Sequence, residues 1–183
     1  GASGIIQGDA GTDDNGDSRL FTTTNEAWTS DKRCTVVGIL RMDSAVANSK
    51  FEFGFVDAVG AGAVLVKATP TSTATDYAVL VRDTDDDTLL SLASDGTTDA
   101  IQVTDGAGIT FTTATWYHVM IALNERKEAR LWFNGQFQAK NTRGPNITTT
   151  LGLWAYVQGR DTSANRQLSL DLVQAWQERT ALT

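Results

Sequence analysis

The sequence predicts an all-β protein folded as an antiparallel sandwich, and three observations carry that prediction. About a dozen short apolar runs succeed one another, separated by turn residues every 8 to 12 positions. Thr is abundant and Pro occurs only at Pro70 and Pro145, a composition that favours strands. No segment sustains the 3.6-residue apolar repeat of an amphipathic helix over three turns. The 183 residues suit one domain, expected as an irregular N-terminal arm over 1–30 followed by a sandwich over 31–183.

The arm is predicted because Gly8 to Ser18 is rich in Gly, Asp and Asn and nearly free of apolar residues. Thr35 to Met42 then reads as a strand buried on both faces. Lys50 to Val56 alternates strictly and places Phe51, Phe53 and Phe55 on one face. Ala63 to Ala68, Tyr77 to Arg82 and Leu89 to Ala93 follow as strands, the last two joined by the acidic hairpin turn Asp83 to Thr88. Ala100 to Thr104 and Gly108 to Phe111 are further short strands. In Trp116 to Leu123 the residues Tyr117, Val119, Ile121 and Leu123 share a face, the polar run Asn124 to Glu128 makes a turn, and Leu131 with Phe133 returns opposite them. Asn134-Gly135 closes the next hairpin onto Gln136 to Ala139, since both central positions of a type I′ turn need positive φ. Thr150 to Val157 and Leu168 to Trp176 complete the series.

Charge limits the partners. Fifteen Lys and Arg stand against 22 Asp and Glu, a net charge of −7, so phosphate backbones and anionic lipid surfaces repel the chain. Apolar stretches such as Gly60 to Val66 and Leu168 to Val173 are far shorter than the ~20 residues of a membrane-spanning helix. Neither nucleic acid nor membrane is expected as a partner. Cys34, the single cysteine, lies in an apolar run and is expected to be a buried, inert thiol.

The stretch Trp116 to Gly135, with its alternating strand, polar turn, alternating strand and Asn-Gly, resembles the concanavalin A-like or laminin-G-like jelly-roll family. Leu168 to Trp176 is similar to that family's closing strand, which returns to pair near the start of the chain. The resemblance covers Thr35 to Arg179 and implies a jelly-roll sandwich. The acidic, Thr-rich, cysteine-free character, with Phe51 to Asp57 and Val173 to Arg179, looks like structural proteins of tailed bacteriophages. That likeness implies a non-enzymatic protein of the virion, decorating or cementing the capsid shell or sitting on the tail. It further implies the major capsid protein or other virion proteins as partners, and a homo-oligomer, preferably a trimer.

An enzyme is not expected. Glycoside hydrolysis needs two carboxylates flanking the scissile bond, and the Glu-x-Asp-x-x-Glu strand of the jelly-roll glucanases has no counterpart among Glu26, Glu52, Glu125, Glu128 and Glu178. His118 is the sole histidine and shares a strand face with Trp116 and Met120, which suits a structural role. No cofactor is expected, with calcium as the alternative at the acidic turn of Asp83, Asp85 and Asp87, because hard cations take six to eight oxygen ligands. Asp-rich turns also use their carboxylates on their own backbone amides, and that reading is preferred.

The alternative function is a carbohydrate-binding, lectin-like module that recognises a host glycan or belongs to a secreted bacterial protein. Stacking aromatics and converging polar groups would then come from Trp154, Tyr156, Gln158, Arg160, Asp161 and Asn165. In the arm, Ile5, Ile6, Leu20, Phe21 and Trp28 are apolar anchors that a partner could bury.

Overall fold

The computed structural model describes residues 4–20, 28–43, 46–57, 62–64, 74–84, 88–95, 99–103, 111–162 and 165–179. Among the described residues, twelve strands form two antiparallel six-stranded sheets packed face to face. One sheet, in spatial order, joins β1 (Ile6–Asp9), β12 (Gln167–Trp176), β3 (Thr35–Met42), β8 (Tyr117–Leu123), β9 (Ala129–Phe133) and β10 (Gln136–Asn141). The other joins β2 (Asp17–Arg19), β11 (Gly152–Gly159), β4 (Ser49–Val56), β5 (Asp76–Asp83), β6 (Thr88–Asp95) and β7 (Asp99–Val103). The all-β jelly-roll expectation holds.

Alternation decides which side chains enter the core. Phe51, Phe53 and Phe55 of β4 face Val119, Ile121 and Leu123 of β8 and Leu131 and Phe133 of β9 within one buried cluster. Phe111 seals it, edge-on to Phe51 at 4.8 Å and to Phe133 at 5.2 Å. Two glycines are required by geometry. Asn134 and Gly135, at φ 48° and 78°, make the two-residue hairpin joining β9 to β10. At Gly54 a Cβ would lie 2.2 Å from the carbonyl oxygen of Ala78, because β4 and β5 approach closely there.

The first thirty residues differ from the irregular arm expected of them. Ile6 pairs with Leu170 and Asp9 with Gln167, so β1 edges one sheet. Asp17 pairs with Gln158 and Arg19 with Tyr156, so β2 edges the other. Trp28 bridges Leu151, and both Leu20 and Trp28 are half-buried against the domain's own core. Ile5 and Ile6 remain exposed, at 41% and 48%. Phe21 lies outside the described residues, as do the expected strand residues 65–68 and 108–110.

Candidate functional site

Each sheet has a second face, turned away from the shared core, and these two outer faces contrast. On the β4–β5–β11 side the outward residues are Lys50, Glu52, Val56, Tyr77, Val79, Val81, Trp154 and Tyr156, and all are buried. A second apolar cluster forms there because Val64 and Ala74 pack over Tyr77, Val79, Trp154 and Tyr156. The covering chain is pinned by Glu52, which accepts hydrogen bonds from the Val64 amide and the Trp154 indole, each at 2.8 Å. Glu52 also pairs with Lys50 at 3.0 Å, both side chains being fully buried. Such a pair is tolerated only where its remaining polar atoms are satisfied.

Three of the six expected sugar-binding residues, Trp154, Tyr156 and Arg160, are therefore buried, and Gln158 is half-buried. Trp154 and Tyr156 stack on each other at 5.7 Å and 13° instead of on a ligand. The Tyr156 hydroxyl donates to Asp17 at 3.2 Å, and burial pushes its pKa above the ordinary phenol value, so it stays protonated. Arg160 is buried in a two-pronged pair with Asp83, its Nε 3.1 Å from Oδ1, and it also donates to Asn15. Gln158 donates to the Asn15 carbonyl at 3.2 Å. The other two turn elsewhere: Asp161 accepts from Asn48 at 2.6 Å and Arg166 at 2.8 Å, and Asn165 donates to Asp9 at 2.8 Å. The expected edge site is thus a set of mutually satisfied structural contacts.

Of the residues named for the calcium alternative, Asp83 pairs its carboxylate with Arg160. Asp85 and Asp87 lie outside the described residues. No cluster of three or more His, Cys, Asp or Glu suited to a metal occurs among the described residues. Cys34 is fully buried, and burial pushes its thiol up to about 12.

The outer face of the β12–β3–β8–β9–β10 sheet is open. At its end a cleft of about 290 Å³ is lined by Arg33, Asn124, Arg130, Trp132, Trp176 and Glu178. Trp176 is 49% exposed, and Phe137 on β10, standing edge-on to Trp132 at 5.6 Å, is 55% exposed. The floor between the tryptophans is small, since Thr35 and Ala122 occupy it. Arg33 adopts the left-handed conformation after a 3-10 turn at Ser30–Lys32, and this aims its guanidinium at Glu125 (2.9 Å) and Glu178 (3.3 Å).

Charge at this cleft is compensated within the protein. Hydrogen bonding from Arg33 holds Glu125 at about 2, and hydrogen bonding from Arg130 and Asn124 holds Glu128 at about 2. Near neutral pH both carboxylates are acceptors, not proton donors. Sequence reasoning missed Trp132, Trp176 and Phe137, although parity marked two of them. Trp132 sits between the core residues Leu131 and Phe133, and Trp176 follows the core-facing Ala175, so both must point outward.

No protein-family model and no curated protein sequence matches the chain. Its fold is shared with solved structures of low sequence identity. The carbohydrate recognition domain of Emp46p, in its potassium-bound form, matches with a TM-score of 0.66 at 9% identity, covering 96% of this chain and 89% of that one. That domain is also known metal-free, with a TM-score of 0.64. Alginate lyase A1-II′, of polysaccharide lyase family 7, matches with a TM-score of 0.61 at 10% identity, covering 98% and 82%. An alginate lyase from Corynebacterium sp. matches with a TM-score of 0.53 at 14% identity, covering 93% and 75%. These neighbours correct the expectation that the chain is no enzyme: lyases and recognition domains share this fold, and the missing glucanase strand motif rules out one hydrolytic mechanism only.

Proposed function

We propose that the protein is a carbohydrate-binding jelly-roll domain that takes its ligand in the cleft between Trp132 and Trp176. One observation carries this reading: two tryptophans flank an open cleft whose rim holds guanidinium and carboxylate groups, the combination of apolar ring and fixed polar groups on which sugars are bound. Neighbours that are carbohydrate recognition domains and polysaccharide lyases support it. A glycan array with wild type, Trp132→Ala and Trp176→Ala tests it. Wild type should bind at least one glycan family and each variant should lose at least tenfold in affinity. Binding unchanged in both variants, or none by wild type, would overturn it.

A second reading rests on a separate feature, the exposed Ile5 and Ile6 at the outer edge of β1. An edge strand that carries exposed isoleucines at its start suits pairing with a strand of a neighbouring protein. On this reading the protein belongs to a virion, on capsid or tail, with a capsid or other virion protein at that edge and a homotrimer as its own assembly. Light scattering of wild type and Ile6→Lys tests it: an oligomer that the variant dissolves supports it, and a wild-type monomer that binds no virion protein contradicts it.

A further inference from the structure

We infer, resting on the carbohydrate reading above, that the ligand is an extended, uncharged polysaccharide chain bound along its interior, lying across the strands from β12 to β10. Pairing register places Trp176, Thr35, Ala122 and Arg130 on one cross-strand row. The adjoining row holds Gln174, Val37, Met120, Trp132 and Phe137. Trp176 and Trp132 therefore stand three strand spacings apart, about 14 Å across the sheet. That backbone separation exceeds one sugar ring, so a chain of several sugars can lie across both positions. Phe137 carries the aromatic strip on to β10, the edge of the sheet.

Among the described residues no strand closes either end of the strip. β1 pairs with β12 only from Gln167 to Leu170, so among the described residues no strand flanks the Leu172 to Trp176 half of β12 on that side. A binding strip without end walls admits the middle of a long chain, where a pocket would admit its terminus.

The charge of the ligand follows from the arginines. Arg33 is bound by Glu125 and Glu178, and Arg130 by Glu128 at 2.7 Å. Lys140, which adjoins Arg130 on its row, also reaches Glu128, at 3.4 Å. Each cation at the cleft already has its carboxylate, and the chain as a whole carries −7. A polyuronate or sulfated chain would add repulsion without a cation to receive it. A neutral chain needs only ring faces and hydrogen-bonding groups, which the strip supplies.

Affinity electrophoresis through gels containing neutral polysaccharides (β-glucan, xylan, mannan) and acidic ones (alginate, polygalacturonate) tests this, followed by calorimetry with oligosaccharides cut from whichever polymer retards the protein. The expected result is retardation by a neutral polymer and none by the acidic ones, with affinity rising at least tenfold from disaccharide to pentasaccharide. Phe137→Ala, a change at an exposed side chain, should lower pentasaccharide affinity several-fold and leave disaccharide affinity unchanged. Stronger retardation by an acidic polymer, or affinity independent of chain length, would overturn the inference and leave the carbohydrate reading standing. Retardation by no polymer would overturn both.

Discussion

The two outer sheet faces were built by the same alternation and met opposite fates. On β4 and β11 the outward residues are covered by Val64 and Ala74, so Lys50, Glu52 and Arg160 had to find buried partners and Trp154 and Tyr156 became a second core. On β8, β9 and β12 the outward residues met no cover, so Trp176 and Phe137 remain in solvent with their charged neighbours paired at the surface. An aromatic on the outward side of a jelly-roll strand is thus a recognition element or a structural one according to a segment that lies far away in sequence.

The contrast breaks most sharply at the buried charges. Lys50→Met leaves the Glu52 carboxylate buried without its cation, and a loss of about 3–5 kcal/mol of stability is expected from chemical denaturation. Asp83→Asn should cost a similar amount through Arg160, and a small effect from both would mean that this face is not closed in solution. Trp154→Ala, which removes the largest buried side chain, should cost about 3–5 kcal/mol. By contrast Trp176→Ala, on the open face, should shift stability by less than ~1 kcal/mol while abolishing glycan binding.

The smallest expected effect is that of pH at the cleft. Glu125 and Glu128 are depressed from 4.5 to about 2, so their contribution is fully present above pH 4.5 and is lost as pH falls from there toward 2. Because both carboxylates stay ionised in the folded protein until pH nears 2, glycan affinity should be flat from neutral pH down to about pH 3 and decline below that. A decline centred near pH 6 to 7 would assign control to another group.

Much of the fold was legible because it is written locally. The parity of Phe51, Phe53 and Phe55 and the Asn134-Gly135 turn need no distant information to be read, and β3 and β9 begin and end where expected. β1 and β2 were not legible, since each is three or four polar or glycine-containing residues whose strand character comes from pairing with β12 and β11 some 140 to 160 positions away. The site was half legible. Parity put Trp154, Tyr156 and Gln158 on one strand face, but the cover supplied by Val64 and the ion pair of Arg160 with Asp83 are long-range facts that no local pattern encodes. Trp132 and Trp176 could have been found by the same parity, applied to the strands whose inner faces were already assigned.

The central claim is that recognition occurs on the open face and not on the closed one. The indole N–H resonances of the protein report this directly when a neutral polysaccharide fragment that binds is titrated in. The Trp132 and Trp176 signals should move together and saturably, while the Trp154 signal, whose N–H is held by Glu52 at 2.8 Å, stays fixed. Movement of Trp154 with Trp132 and Trp176 unmoved would contradict it and place recognition beneath the segment that now covers β4 and β11.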